Sequence, residues 1–543
     1  MNIKLFLVLF LLILMGCAKP TQPSKPKLIV GIVVDQMRMD YLNRYERHFG
    51  NDGFKRFYSE GFVAKNHHFD YSQTVTGPGH ASISSGTTPA IHGIVGNEWF
   101  DKTSGNTQYC VADDRYKGVG TSSRVGNRAP SHFLVTTFAD ESRLASQLRG
   151  KSIGVSIKDR AAILSVGHTA NGAFWFSGKN EGNFISSTFF MDALPQWAND
   201  FNTSRVIDNY MTVWDTYFPI ETYVESGPDN TKYERLLKGK ESPTFPYDLT
   251  ALASKNNNYD IIKETPFGNS LITDFAIAAL KGEDLGADED ADVLMISYSS
   301  TDYVGHKFGI NSKEVQDTYV RLDLDLARLF KALDTQVGTG KYTVFLTADH
   351  GAAQVSNYLI DNQIPAGYIS KSDFGHKLTQ ALADRFGTND LIQNVSNHNI
   401  FLNHNKIAEK KIDSSQLQQF VISFALAFEG IASAYSANEL MRMNANSTII
   451  YRLQQGHHPK RSGDIVFTLL PGYTDYRSKG STHGSAYTYD THVPLMLFGK
   501  GVRKGSTFER THITDIAPTV CAILGISNPT GTIGNPIKEV IIH

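Results

Sequence analysis

Residues able to bind a metal recur where strands end and where glycine-rich turns begin. Asp35 closes the run Leu28–Val34, Asp302 and His306 follow Ala291–Ser299, Asp349 and His350 follow Lys341–Ala348, and His483 lies in the loop Gly480–Ala486. Three carboxylates and three imidazoles offer hard oxygens beside borderline nitrogens, a mixture suited to Zn²⁺. Asp302 and His306, four apart, share one face if their segment turns helically. Two metal ions could each take about three of these ligands and keep open positions for a substrate oxygen and a water. Each feature alone has a plain alternative, such as a turn punctuated by Gly351 or a surface cap at Asp35. Six such residues at the ends of separate strands form a much rarer set.

Between these positions lie residues that could act on a phosphoryl group. Thr76, in Thr74-Val75-Thr76-Gly77-Pro78-Gly79-His80, precedes a proline suited to the first turn of a helix. Free backbone N–H groups and the helix dipole there favour an anion, so the hydroxyl could serve as a nucleophile or could simply cap the helix. Asn97, in the turn Gly93–Asn97, could donate to a bound oxygen or only stabilise the turn. The strand Lys151–Ile157 runs into Lys158-Asp159-Arg160. In an extended segment alternate side chains point the same way, which would give Lys158 and Arg160 one two-pronged cationic face fit for a phosphoryl group, the plain alternative being a solvated surface pair.

Continuous apolar strands ending on chemistry-bearing residues suit a mostly parallel sheet covered by helices on both faces, with the site beyond the carboxyl ends of the strands. Helices are expected at Ser131–Leu148, Ser270–Leu280, Asn311–Leu333 with Asn311 and Glu314 as a capping box, and Thr514–Leu524 closed by Gly525. Residues 172–265, irregular and aromatic, and residues 360–450, with mixed helix and strand signals, are expected as cap insertions. His67, His68, His92, His168, His457 and His458 lack a comparable setting and are expected to be structural or exposed.

The chain has 543 residues, 52 Lys plus Arg against 54 Asp plus Glu, and no polybasic run, which argues against a nucleic-acid partner. Residues 1–17 open with a short basic start and an apolar run, Leu5–Met15, too short to span a membrane comfortably. Leu14-Met15-Gly16-Cys17 resembles the lipobox of bacterial lipoproteins, which implies acylation of Cys17, export, and a periplasmic protein whose only membrane contact is its lipid. Residues 18–27, with their prolines, read as a tether, and residues 28–543 as the catalytic domain. Cys110 and Cys521, the remaining cysteines, make no disulfide scaffold.

Collected, these motifs resemble the alkaline phosphatase superfamily and, within it, the PafA-like phosphate monoesterases. The resemblance rests on Val34-Asp35-Gln36, Thr74-Val75-Thr76, Gly93–Asn97, Lys158-Asp159-Arg160, Ser300–His306, Ala348–Ala352, Thr482-His483 and Thr514–Thr519. It implies a three-layer α/β/α fold, one zinc held by Asp302, His306 and His483, and another by Asp35, Asp349, His350 and the Thr76 oxygen. It implies hydrolysis of small phosphate monoesters through a phosphothreonine on Thr76, with Asn97, Lys158 and Arg160 on the phosphoryl oxygens; a monomer is expected. A phosphodiesterase would share the metal ligands, but an apolar wall is expected in place of Lys158 and Arg160. A sulfatase would need a Cys-x-Pro-x-Arg motif, and Thr76 lies in none. An inactive phosphate-binding lipoprotein is the alternative from another class.

Overall fold

The computed structural model describes residues 25–179, 181–446 and 448–542. Cys17, the leader and most of the tether lie outside them. The centre is an 11-stranded sheet. Its main strands are β1 (Leu28–Val34), β2 (Phe62–His68), β3 (Ser152–Ser156), β4 (Gly172–Ser177), β5 (Asn183–Ser187), β6 (Asp292–Tyr298), β7 (Tyr342–Thr347), β8 (His492–Gly499) and β9 (Gly505–Thr507). Their spatial order is β9-β2-β8-β7-β1-β6-β3-β4-β5. From β7 to β4 neighbours run parallel, while β8 is antiparallel to both β7 and β2. Every residue of β1, β6 and β7 is buried, as continuous apolar runs covered on both faces require.

Register sets the site. Val34 pairs with Tyr298 and Val33 with Thr347, so β1, β6 and β7 reach the same edge together. The next residues, Asp35, Ser299–Asp302 and Asp349-His350, therefore leave the sheet side by side. Helices pack around it: α1 (Thr76–Ser85), α2 (Phe138–Ala145), α3 (Asp159–Val166), α4 (Phe267–Gly282), α5 (Ser300–Phe308), α6 (Lys313–Leu333) and α7 (Ile516–Leu524). The result is a three-layer α/β/α domain with a mostly parallel sheet. Among the described residues, no helix is long and apolar enough to cross a membrane.

Several local expectations are revised. The helix anticipated over 131–148 is the shorter α2, opened by a Thr137–Asp140 capping box. Helix α6 is capped by Ser312, whose side chain accepts from Val315 N–H, rather than by Asn311. The aromatic segment 172–265 begins with β4 and β5, which extend the central sheet. The later insertion is a body with its own core: a four-stranded sheet of Ile392–Ser396, Asn399–Leu402, Ile465–Leu469 and Ile431–Ser436, in that spatial order, around Phe374, Leu378, Leu417 and Val421. Its pairing of Gly367–Tyr368 with Tyr473–Thr474 carries it past residue 450.

Helix α1 is seated by Gly79, where a methyl group would lie 2.3 Å from the Asp349 carbonyl oxygen and 2.7 Å from its Cβ. Gly79→Ala should therefore push α1 off the end of β7, destabilising the fold by about 1–3 kcal/mol, the usual range for overpacking. Urea unfolding of the variant measures this, and an unchanged midpoint would show that α1 does not depend on that close approach.

Candidate active site

Asp35, Asp349 and His350 are fully buried at the ends of β1 and β7. His350 Nε2 lies 3.4 Å from Asp35 Oδ1 and 3.5 Å from Asp349 Oδ2. These three atoms are buried and none has a hydrogen-bond partner. Unpartnered polar atoms in a core are costly, and three converging on one point are satisfied together by a cation. A second grouping joins Asp302, His350 and His483. Asp302 Oδ1 stands 3.2 Å from His306 Nε2 and 3.5 Å from His483 Nε2. Asp302 and His306 are one turn apart on α5, as their spacing suggests. His350 stands between the two groupings and stacks on His483 with ring centroids 3.4 Å apart.

All three imidazoles are fixed in the same sense. Nδ1 faces a backbone carbonyl in each: Ser481 O for His306 at 2.8 Å, Thr74 O for His483 at 2.8 Å and Gly351 O for His350 at 3.0 Å. A ring donating through Nδ1 to a carbonyl keeps its lone pair on Nε2, the atom turned to the carboxylates, and that is how histidine ligands are oriented by their surroundings. The donor set and its tautomers fit divalent metal ions.

Thr76 begins α1, after the extended Val75. Lys158 Nζ approaches its hydroxyl to 3.3 Å and Arg160 Nη2 to 3.4 Å. The pair converges as the sequence suggests, but for a different reason. Lys158 is the residue before α3 and Arg160 lies in its first turn, so a helix start, and not an extended strand, aims them together. Lys158 also bridges Asp35 Oδ2 and Asp302 Oδ2, each at 2.7 Å. Asn97 accepts from Gly77 N–H through Oδ1 at 2.7 Å, which fixes the side chain beside Thr76 and leaves its NH₂ end to donate.

Charge explains the titration pattern. Burial pushes the Asp35 carboxyl up, partly offset by Lys158. Burial and the neighbouring Asp35 push Asp349 well above the carboxylate range. Burial holds His350 well below its ordinary value and brings His306 down to about 4. Burial also opposes ionisation of Asp302, yet His306, Lys158 and His483 hold it well below. Burial lowers His483, but its bond to Asp302 outweighs that and raises it.

Other residues contribute whose roles the sequence reading does not assign. Gln36, with φ 65°, turns its amide to donate to Asp302 Oδ1 at 2.6 Å, and its backbone N–H donates to Asp349 Oδ1 at 3.2 Å. His80 faces the Thr76 carbonyl through Nδ1 and Ser297 Oγ through Nε2, tying α1 to β6. Tyr109 donates to Asp159 and lies 3.2 Å from Arg160 Nη1, and Arg128 pairs with Asp159. His80 stands in a glycine-flanked motif that marks it, whereas Tyr109 and Arg128 reach the site through loops of irregular spacing.

Strand ends that gather carboxylates and imidazoles beside a helix-start hydroxyl and two cations define a metal-dependent hydrolase of the alkaline phosphatase class. The family described as type I phosphodiesterase / nucleotide pyrophosphatase matches residues 29–493. Alkaline phosphatase PafA of Elizabethkingia meningoseptica is 42% identical over 532 residues, 97% of each chain. Alkaline phosphatase PhoV of Synechococcus elongatus is 42% identical over 96% of this chain and 94% of its own. A Myroides odoratus protein named calcium-transporting ATPase is also 42% identical, over 95% of both. The crystal structure of PafA superposes with a TM-score of 0.92 at 41% identity, covering 96% of this chain and 100% of PafA. The chain belongs to the type I phosphodiesterase / nucleotide pyrophosphatase family and, within it, resembles the PafA alkaline phosphatases along almost its whole length.

If the buried cluster holds cations, divalent metal should raise the thermal midpoint of chelator-treated protein. At a hundredfold excess over the dissociation constant the gain is about 2.7 kcal/mol. Asp349→Asn, which removes one of the three unpartnered ligand atoms, should lose most of that gain in differential scanning calorimetry. A wild-type midpoint indifferent to metal would contradict this reading of the cluster.

Proposed function

We propose that the protein hydrolyses phosphate monoesters with two Zn²⁺ ions and a covalent phosphothreonine on Thr76. Asp302, His306 and His483 would hold one ion, and Asp35, Asp349 and His350, with the Thr76 oxygen, the other. When bound, the ions supply Lewis-acid charge that lowers the pKa of the Thr76 hydroxyl and stabilises the departing oxygen. Thr76 Oγ, deprotonated, attacks phosphorus as the ester P–O bond breaks and the alcohol leaves with a proton. Water then attacks the phosphothreonine, releasing phosphate and restoring the hydroxyl. The first N–H groups of α1 are already engaged, Gly77 donating to Asn97 Oδ1 and Gly79 to Val75 O with Pro78 between them, so the phosphoryl oxygens fall to the side chains.

The observation that carries this reading is the approach of Lys158 and Arg160 to one hydroxyl, at 3.3 and 3.4 Å. Two cations aimed where a phosphoryl group must dock favour a dianion with three free oxygens over a diester, which has one charge fewer and one oxygen blocked. Arg160 Nε is buried without a partner, so the guanidinium keeps a donor in reserve. The amide of Asn97 supplies a neutral donor to the same group.

Replacing Lys158 and Arg160 together by Ala should lower monoester kcat/KM by roughly thirty- to a thousandfold, the equivalent of about 2–4 kcal/mol of charge-assisted contacts. Hydrolysis of a methyl aryl phosphate diester should fall far less, with metal content unchanged. The assay pairs an aryl monoester with its methyl diester under conditions where chemistry limits the rate. Equal losses on both would remove these residues from phosphoryl recognition, and a wild type that prefers the diester would favour the phosphodiesterase reading.

A further inference from the structure

His306 lies in the last turn of α5, and that helix end is completed by residues far from it in the chain. An α-helix leaves its final four carbonyls without partners of its own. In α5 the Gly305 oxygen accepts from Gly309 N–H at 2.8 Å and from Ser481 N–H at 3.0 Å, and the Lys307 oxygen accepts from Arg235 N–H at 2.9 Å. The His306 oxygen between them accepts twice from the Arg235 guanidinium, from Nη2 at 2.5 Å and from Nε at 3.2 Å. A cation is favoured at the negative end of a helix, and a planar fork with two donors on one carbonyl leaves that carbonyl little room to turn.

Arg235 belongs to the segment 227–237, which is held in several places. Gly227 N–H donates to Asn311 O at 2.7 Å, Glu234 and Leu237 are buried, and the Tyr233 hydroxyl donates to Asp361 Oδ2 at 2.7 Å. The same segment reaches the loop of His483. Tyr233 O accepts from Gly480 N–H at 2.8 Å, and a methyl group on Gly480 would lie 1.9 Å from the His306 oxygen. Tyr476, whose hydroxyl is 3.2 Å from Arg235 Nη2, sets its ring against that of His306 with centroids 5.2 Å apart. The carbonyl of His306, its ring and the start of the His483 loop are thus tied to one arginine and its neighbours. None of these bonds touches Asp35, Asp349 or His350.

We propose that Arg235 is a positioning residue for His306, and that through it the segment 227–237 sets how tightly one metal position, that of Asp302, His306 and His483, is filled, while the other forms without it. The inference rests on the two-ion reading and deepens it by giving the two positions separate supports. Arg235 acts on the ligand through its backbone. Without the guanidinium the last turn of α5 loses its clamp, and His306 Nε2 is no longer held 3.2 Å from Asp302 Oδ1. Lysine at this position keeps the charge at the helix end but not the forked pair of donors.

The test is zinc uptake by the full-length protein after chelator treatment, measured by elemental analysis over a series of zinc buffers, so that it does not depend on turnover. Wild type should take up two ions. Arg235→Ala should bind one of them about ten- to a hundredfold more weakly, the range found when a residue that orients a metal ligand is removed, and the other within about twofold. Arg235→Lys should recover part of the loss. If the alanine variant does not fold, the lysine variant should still show a shift of about three- to tenfold confined to one ion. Because Arg235 acts through His306, adding Arg235→Ala to His306→Ala should cost less than about twofold beyond His306→Ala alone. Equal weakening of both ions, weakening of neither, or an additive loss in the double variant would overturn the assignment. Fewer than two ions in wild type would overturn it together with the two-ion reading. Failure of the monoester reading alone looks different: wild type would leave aryl phosphates uncleaved with both ions bound, and selective loss of one ion in Arg235→Ala would still support the role of Arg235.

Discussion

Three carboxylates, Asp35, Asp302 and Asp349, converge in a place from which water is excluded. Asp35 and Asp349 are fully buried, and Asp302 nearly so. Like charges at such distances in a low dielectric cannot all ionise unless positive charge is placed among them. Lys158 supplies one such charge between Asp35 and Asp302. It leaves Asp35 Oδ1, Asp349 Oδ2 and His350 Nε2 facing one another without partners. The fold thus stores an electrostatic demand that divalent cations meet, and the same cations are what a hydroxyl at the start of α1 needs in order to act as a nucleophile.

The rest of the architecture serves to hold that demand in register. Parallel pairing of β1 with β6 and β7 delivers the acids and His350 to one edge, and α5 places Asp302 and His306 one turn apart. The loop carrying His483 is tied down from both sides: Ser481 O receives His306 Nδ1, and Thr74 O receives His483 Nδ1. The backbone that leads into Thr76 therefore also orients an imidazole. The second body reaches the same neighbourhood through the Asn397-His398 turn, where Asn397 donates to the carbonyl of Glu98, next to Asn97.

Much of this was legible in the sequence because strands buried on both faces leave unbroken apolar runs, and the polar residue that ends each run stands out. Asp35, Asp302, His306, Asp349 and His350 were read in that way, and Thr76 through the proline two residues on. Lys158 and Arg160 were paired by a strand argument that the structure replaces with a helix start, since the local periodicity over three residues cannot separate the two. Gln36 was missed because its role depends on a left-handed backbone conformation that nothing in its neighbours demands. Tyr109 and Arg128 were missed because only tertiary packing brings them to Asp159. The second body was harder to delimit: Ile465–Leu469 has the apolar character of a central strand but pairs with Asn399–Leu402 and Ile431–Ser436.

The central claim is that the buried acids and imidazoles are built around metal ions, and anomalous diffraction from crystals of the purified protein, recorded on both sides of the zinc absorption edge, tests it most directly. The account predicts two edge-dependent peaks, one among Asp35, Asp349 and His350 beside Thr76, the other among Asp302, His306 and His483, with the Lys158 ammonium released from at least one of its two carboxylates. Crystals grown with zinc present that give no anomalous peak at either place, and that keep Lys158 bridging Asp35 and Asp302, would contradict it.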